Sequence, residues 1–255
     1  MAWRLGEKFS AKYPCIAAHR GYSAKYPENT LKAFEEGAKL GVDMVELDIS
    51  MSKDGIPMLY HDYVLEKKST PLTGSVTDYT YEELQQVRIG ALLGMEDQPL
   101  CTLEDLCKLL LDYPDIVLDV DLKPGSGVDG TIKPVMAVLE KYGYQDRIIF
   151  NSLDGEITKY LKDNTDYIIV GPPAGFPWGV NQIPGVDGTY ATLDAICQPT
   201  EDLSVEVCDE LRRLNKIVIS APMADEAAAK KALECGVEVA LCDDPTHLLK
   251  LMGRL

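Results

Sequence analysis

His19 and His61, two of the chain's three histidines, flank the apolar run Val45-Glu-Leu-Asp-Ile49, which carries two acids, Glu46 and Asp48. Histidine moves protons near neutral pH, carboxylates hold metal ions, and charges inside an apolar run rarely serve packing alone. Side chains along a strand alternate faces, so Glu46 and Asp48 share one face while Val45, Leu47 and Ile49 share the other. Leu118-Asp-Val-Asp-Leu-Lys123 repeats the device, with Asp119, Asp121 and Lys123 on one side. Two such strands aim four carboxylates into one space, which is unfavourable unless some hold protons or a cation joins them. All-oxygen ligands point to a hard divalent ion, Mg²⁺ or Ca²⁺. Arg20 and Lys123 suit an anionic group such as phosphate, and two histidines suit general acid and base roles. A cation there would polarise a nonbridging oxygen. The reaction class that uses all of these groups is phosphodiester cleavage.

Taken singly, each residue has a plainer reading. A Glu-x-Asp pair is usually a solvated face, and a lone histidine is usually structural. His247 keeps that reading, as do Met44, Met51 and Met58 and the cysteines. Joint placement is what favours the chemistry. Asp54-Gly55 reads as a two-residue hairpin turn. With Lys53 paired to Ile56, His61 falls opposite Asp48, give or take a residue, on the same face.

The elements that must position these groups alternate. Strands are expected at 14–18, 43–51, 115–122, 148–151, 167–170, 191–196, 216–220 and 238–242. Helices are expected at 30–40, 102–111, 131–142, 154–164, 204–214, 225–235 and 245–252. Eight strand–helix units imply parallel β structure and an α/β (β/α)8 TIM barrel, with a doubly wound sheet as the alternative. No Gly-x-Gly-x-x-Gly opens a helix, so dinucleotide binding has no support. His19 then follows strand one at the C-terminal mouth. Residues 52–98 read as a small insertion between strands two and three, within one domain spanning 1–255. Residues 171–189, rich in Gly and Pro, read as a long loop after strand five.

The formal net charge of −16 disfavours nucleic acid partners. Seven scattered cysteines without a Cys-x-x-Cys pair fit free thiols in a reducing cytosol. With no signal-like N-terminus and no apolar run near the ~18 residues of a membrane span, the expected location is cytoplasmic, without stable membrane insertion.

His19-Arg20-Gly21, Pro27-Glu28-Asn29-Thr30, Glu46-Leu47-Asp48, Lys53-Asp54-Gly55 and His61-Asp62 together resemble the motifs of the glycerophosphodiester phosphodiesterase family. The resemblance continues through Asp121-Leu-Lys123 and, more weakly, through Asn151-Ser152 and Gly236-Val237 to Asp244-Pro245. It implies a TIM barrel in which His19 and His61 are acid and base, Arg20 and Lys123 bind phosphate, and Glu46, Asp48 and Asp121 bind Mg²⁺ or Ca²⁺. It also implies a small-molecule glycerophosphodiester substrate, cleaved to an alcohol and glycerol 3-phosphate. Related readings are a lysophospholipid, sphingomyelinase D-like or sugar phosphodiesterase, or a barrel that binds ligand without catalysis. Two departures stand out. The third ligand is Asp121 where the family usually has Glu, with Asp119 as an additional candidate. The family's late Trp-Thr-x-Asn is replaced by Ile219-Ser220-Ala221-Pro222, with Phe176 and Trp178 of the long loop as candidates for the missing aromatic wall.

Overall fold

The computed structural model describes residues 14–123, 127–173, 191–223 and 225–255. Eight parallel strands close into a barrel: β1 (Cys15–Ala18), β2 (Met44–Met51), β7 (Val117–Leu122), β8 (Ile148–Asn151), β9 (Ile168–Gly171), β10 (Ala195–Gln198), β11 (Ile217–Met223) and β12 (Val239–Cys242). Neighbours follow chain order, and β1 closes the ring by pairing with both β12 and β2. Between them run helices α1 (Leu31–Lys39), α3 (Leu103–Leu109), α4 (Gly127–Lys141), α5 (Gly155–Asn164), α6 (Val205–Arg213) and α7 (Glu226–Cys235). Helix α8 (Pro245–Leu251) follows the last strand. Helix α4 starts ahead of the expected residue 131, because Val128, Ile132, Val135 and Leu139 continue one apolar stripe.

The two faces of each strand have separate fates. Val45, Leu47 and Ile49 of β2, with Leu118, Val120 and Leu122 of β7, pack outward against the helices. Met44, Val117, Ile149, Val170, Ala195, Ile219 and Leu241 fill the lumen. The parallel register sets Met44 beside Val117, Glu46 beside Asp119 and Asp48 beside Asp121. An apolar floor is therefore topped by two layers of acids, and the alternation expected from sequence is what builds it.

Residues 52–98 lie between β2 and β7. Strand β3 (Pro57–Leu59) pairs antiparallel with β2. Three two-residue strands, β4 (Ser69–Thr70), β5 (Arg88–Ile89) and β6 (Gln98–Pro99), form a small sheet, and α2 (Tyr81–Leu84) is a single turn. Met58, Tyr60, Leu65, Val76, Leu84, Val87, Ile89 and Leu100 give this region its own apolar cluster.

The hairpin differs from expectation by one residue. Ser52, not Lys53, faces Ile56: Ser52 N donates to Ile56 O at 2.9 Å and Gly55 N to Ser52 O at 3.0 Å. The loop therefore has three residues and ends on Gly55 at φ +81°, a turn that needs a left-handed residue. Ser50 pairs with Met58, and the Tyr60 N–H bonds Asp48 O at 3.1 Å. Asp48 thus faces Tyr60, and His61 follows it, beyond the ladder. Among the described residues, no helix is long and apolar enough to cross a membrane. Among the described residues, no cysteine forms a disulfide.

Candidate active site

The turn after β1 presents His19 and Arg20. Arg20 is left-handed at φ +55° and Gly21 at φ +81°; a Cβ on Gly21 would lie 2.5 Å from the Ala33 carbonyl carbon. Only glycine lets the turn pack this closely on α1. The next motif divides its labour. Glu28 Oε1 accepts from Arg20 Nη1 at 2.8 Å, and Thr30 caps α1 by accepting from Ala33 N. Asn29, left-handed at φ +56°, donates from Nδ2 to Asp48 Oδ2 at 2.7 Å and accepts at Oδ1 from Asp48 N at 3.2 Å.

The acids from β2 and β7 meet in the lumen. Glu46, Asp48 and Asp121 place carboxylate oxygens within 4.8 Å of one another. Asp119 is 1% exposed, and its Oδ1 has no hydrogen-bond partner among the described residues. Burial, then Asp48, pushes Glu46 well above the usual carboxylate range; burial, then Asp121 and Asp48, does the same for Asp119. Asp121 is raised by burial and Asp48, against the pull of Lys123. Burial also opposes ionisation of Asp48, but Lys123 and Arg20 more than offset it and hold that carboxyl below the ordinary range. The Lys123 ammonium lies 2.6 Å from both Asp48 Oδ1 and Asp121 Oδ2. Arg20 Nε lies 3.1 Å from Asp48 Oδ2, and Arg20 N donates to Glu46 Oε2 at 2.9 Å.

This donor set fits a hard divalent cation. The ligands are all oxygen, an orphaned buried carboxylate oxygen lies in the adjoining layer, and burial, then neighbouring carboxylates, raises Glu46 and Asp119, a strain that a cation would relieve. Glu46, Asp48 and Asp121 are the residues that would hold it.

The histidines approach from two loops. His19 Nε2 lies 3.9 Å from Glu46 Oε2, and its Nδ1 meets Asp243 Oδ1 at 2.7 Å. His61 follows Tyr60, whose hydroxyl donates to Leu65 O at 2.9 Å and fixes the loop. Burial, with help from Lys123 and Arg20, pushes the His61 imidazole down to about 4 despite the pull of Asp48. Its Nδ1 lies 3.4 Å from Asp62 Oδ1. Glu28, His61 and Asp62 form a second group of ligand-type atoms within 4.8 Å, adjoined by Lys68, which pairs with Glu28 at 2.8 Å and Asp62 at 3.3 Å.

His19, Arg20, Glu46, Asp48, Asp119, Asp121, Lys123 and His61 thus converge, while Phe176 and Trp178 lie outside the described residues. His247 stays apart on α8, 3.8 Å from Asp244. Sequence reasoning missed Asp243 and Lys68 and gave Asn29 no task. Barrel closure, which sets the end of strand eight beside the end of strand one, was the available signal for Asp243. On β11, Ser220 is fully buried and its hydroxyl accepts from Leu241 N at 3.1 Å. The register shifts between Ser220 and Met223, so this strand departs from regular pairing where the family carries its Trp motif.

The family model for the glycerophosphoryl diester phosphodiesterase family matches residues 19–171. A glycerophosphodiester phosphodiesterase of Bacillus altitudinis is 26% identical over 92% of this chain and 97% of its own length. One from Caldanaerobacter subterraneus is 28% identical over 61% of this chain, and the match spans 65% of that relative. Among solved structures, an Oleispira antarctica phosphodiesterase in complex with the product sn-glycerol-3-phosphate superposes with a TM-score of 0.82 at 22% identity, covering 98% of this chain and 99% of the other. A glycerophosphodiester phosphodiesterase from Thermotoga maritima gives 0.70 at 24% identity, covering 94% and 98%. At these identities the structural matches establish the shared barrel.

Proposed function

This chain belongs to the glycerophosphoryl diester phosphodiesterase family, and on that premise we propose that it hydrolyses glycerophosphodiesters to an alcohol and glycerol 3-phosphate, using two histidines and a divalent cation. The observation that carries the reading is the meeting of His19, Arg20 and Lys123 with the three-carboxylate group Glu46, Asp48 and Asp121 at one mouth of the barrel. The Oleispira phosphodiesterase, which holds sn-glycerol-3-phosphate as product, supports the same substrate class.

A phosphodiester anion entering this mouth meets the Arg20 guanidinium and the Lys123 ammonium, both kept charged by neighbouring carboxylates. A divalent cation, Mg²⁺ or Ca²⁺, would supply charge stabilisation at a nonbridging phosphate oxygen. In this route the neighbouring glycerol hydroxyl attacks phosphorus and forms a cyclic diester as the bond to the alcohol oxygen breaks. One histidine removes its proton while the other gives a proton to the departing alcohol oxygen. Water then opens the cyclic diester with the two roles reversed, which leaves glycerol 3-phosphate. Arg20 is preorganised for its part by Glu28, so little ordering remains when phosphate arrives. Seven cysteines without a disulfide among the described residues support a reducing, cytoplasmic location. Residues 52–98 serve as an insertion that brings His61 to the barrel, within one barrel unit.

The test is purified protein with Mg²⁺ or Ca²⁺ against a panel of glycerophosphodiesters, lysophospholipids and sugar phosphodiesters, with products identified by mass. Glycerol 3-phosphate release that EDTA stops, and that His19→Ala and His61→Ala each abolish, is the expected result. Turnover retained by either histidine variant would refute the acid–base assignment. The changed β11 bears on which alcohol leaves, and the panel reads this directly.

A further inference from the structure

Asp243 stands one position beyond β12, and His19 one position beyond β1. These strands close the barrel in parallel, with Ala18 beside Cys242. The next residue of each therefore leaves the barrel at the same mouth. Backbone bonds pin both: His19 N donates to Cys242 O at 2.9 Å, Asp243 N to Met223 O at 3.2 Å, and Ala24 N to Asp243 O at 3.1 Å. Their side chains meet at 2.7 Å, Nδ1 to Oδ1, and the Ser23 hydroxyl donates to the same carboxylate oxygen at 3.1 Å. The adjacent acid has a different task. Asp244 caps α8, accepting from Thr246 N at 2.9 Å and from Thr246 Oγ1 at 2.7 Å.

An ionised carboxylate only accepts hydrogen bonds. The short contact therefore places a proton on Nδ1 of His19 and leaves Nε2 to exchange protons. Nε2 is the nitrogen on the side of the acidic site, 3.9 Å from Glu46 Oε2. Among the described residues His61 has no comparable partner: Asp62 is 3.4 Å away and is shared with Lys67 and Lys68.

We infer that Asp243 is a positioning residue for the reaction, fixing the ring and tautomer of His19 so that Nε2 faces the phosphodiester. This rests on the acid–base role proposed above for His19. When Nε2 carries the transferred proton, the Nδ1 proton remains hydrogen-bonded to Asp243, and the carboxylate supports the imidazolium without taking a proton itself. Alanine at 243 leaves the ring free to rotate and to adopt the other tautomer.

The test pairs steady-state kinetics with ¹⁵N spectra of the imidazoles, on cation-loaded wild type, Asp243→Ala and Asp243→Asn. Both variants should lose kcat by about 10- to 100-fold, less than a positioned acid–base group itself contributes. KM should stay within about threefold, because substrate binding is untouched. Melting temperature and divalent-cation affinity should stay near wild type. In the wild type, the signals lost in His19→Gln should report a protonated Nδ1, and that pattern should vanish in Asp243→Ala. A kcat within about threefold of wild type in Asp243→Ala, or a His19 protonated on Nε2 in the wild type, overturns the assignment. Turnover lost in His19→Gln but kept in Asp243→Ala defeats the positioning role alone. Absence of turnover in the wild type defeats the proposed reaction, and the nitrogen spectrum still decides where the His19 proton sits.

Discussion

The Lys123 ammonium lies 2.6 Å from Asp48 Oδ1, where the Asp48 side chain is only 1% exposed. Lysine is thus the counter-ion of one of the two most enclosed acids in the site, and it reaches Asp121 at the same distance. One side chain joins two strands and also faces the place proposed for substrate phosphate.

Removing that charge should cost stability as well as turnover. Lys123→Met leaves Asp48 and Asp121 buried beside each other with one cation fewer. Breaking a buried pair costs about 3–5 kcal/mol, and the lower end applies because Arg20 still faces Asp48. Urea unfolding in EDTA should show a loss of about 3 kcal/mol, and saturating Ca²⁺ should recover part of it. A loss below about 1 kcal/mol would show that the lysine is not the acids' principal counter-ion.

Asp121 is one methylene shorter than the family's usual Glu, and it is drawn to Lys123 at 2.6 Å. A longer acid can reach a shared cation while leaving the lysine paired with Asp48. Asp121→Glu should therefore bind Ca²⁺ or Mg²⁺ more tightly, on the order of 10-fold, as ligand reach and rigidity tune such sites. Calorimetry reads this directly, and weaker binding by the variant would sink the argument.

How much of this was legible beforehand follows from the kind of pattern involved. The acids of β2 and β7 were readable because strand periodicity is strictly two, so Glu46, Asp48, Asp119 and Asp121 had to share the lumen with Met44 and Val117. The hairpin register was readable only to within a residue. Asp54-Gly55 is compatible with a two- or a three-residue loop, and the Ser52 N–H to Ile56 O bond decides for the longer one. Asp243 was illegible for a different reason. Its partner lies at the other end of the chain, and only barrel closure makes them neighbours. Asn29 could be quoted as part of a motif but not given a task, since its left-handed backbone and its bonds to Asp48 follow from tertiary packing.

The acid layers should leave a signature in pH. The Asp119 carboxyl is raised above its ordinary value, by burial first and then by Asp121 and Asp48. A carboxyl raised in the folded state contributes stability that is fully present below its unfolded value, near pH 4, and is lost as pH rises through the folded value. Asp119→Asn removes the charge and keeps the shape. In EDTA, the melting temperature of the variant relative to wild type should therefore rise between pH 5 and pH 8. Adding Ca²⁺ should shrink that gain, because the cation is stabilised by the ionised acids the variant lacks. A difference that stays flat with pH would mean that Asp119 is ionised throughout.

Asn29 offers a way to separate backbone strain from side-chain support at the same acid. It sits at φ +56° and makes two hydrogen bonds with Asp48, one to the carboxylate and one from the backbone. Asn29→Ala loses both bonds and keeps a β-carbon in the left-handed region without the polar side chain that lets Asn occupy it, which costs about 1 kcal/mol relative to glycine. Asn29→Gly loses the same bonds without that cost. Alanine should thus be less stable than glycine by about 1 kcal/mol in denaturant unfolding. Both variants should lose divalent-cation affinity to the same extent, because the Asp48 carboxylate loses its Nδ2 donor in each. Equal stabilities would remove the backbone argument. Cation affinity that holds in both would show that Lys123 and Arg20 alone orient Asp48, since they are the remaining cations within 3.1 Å of its carboxylate.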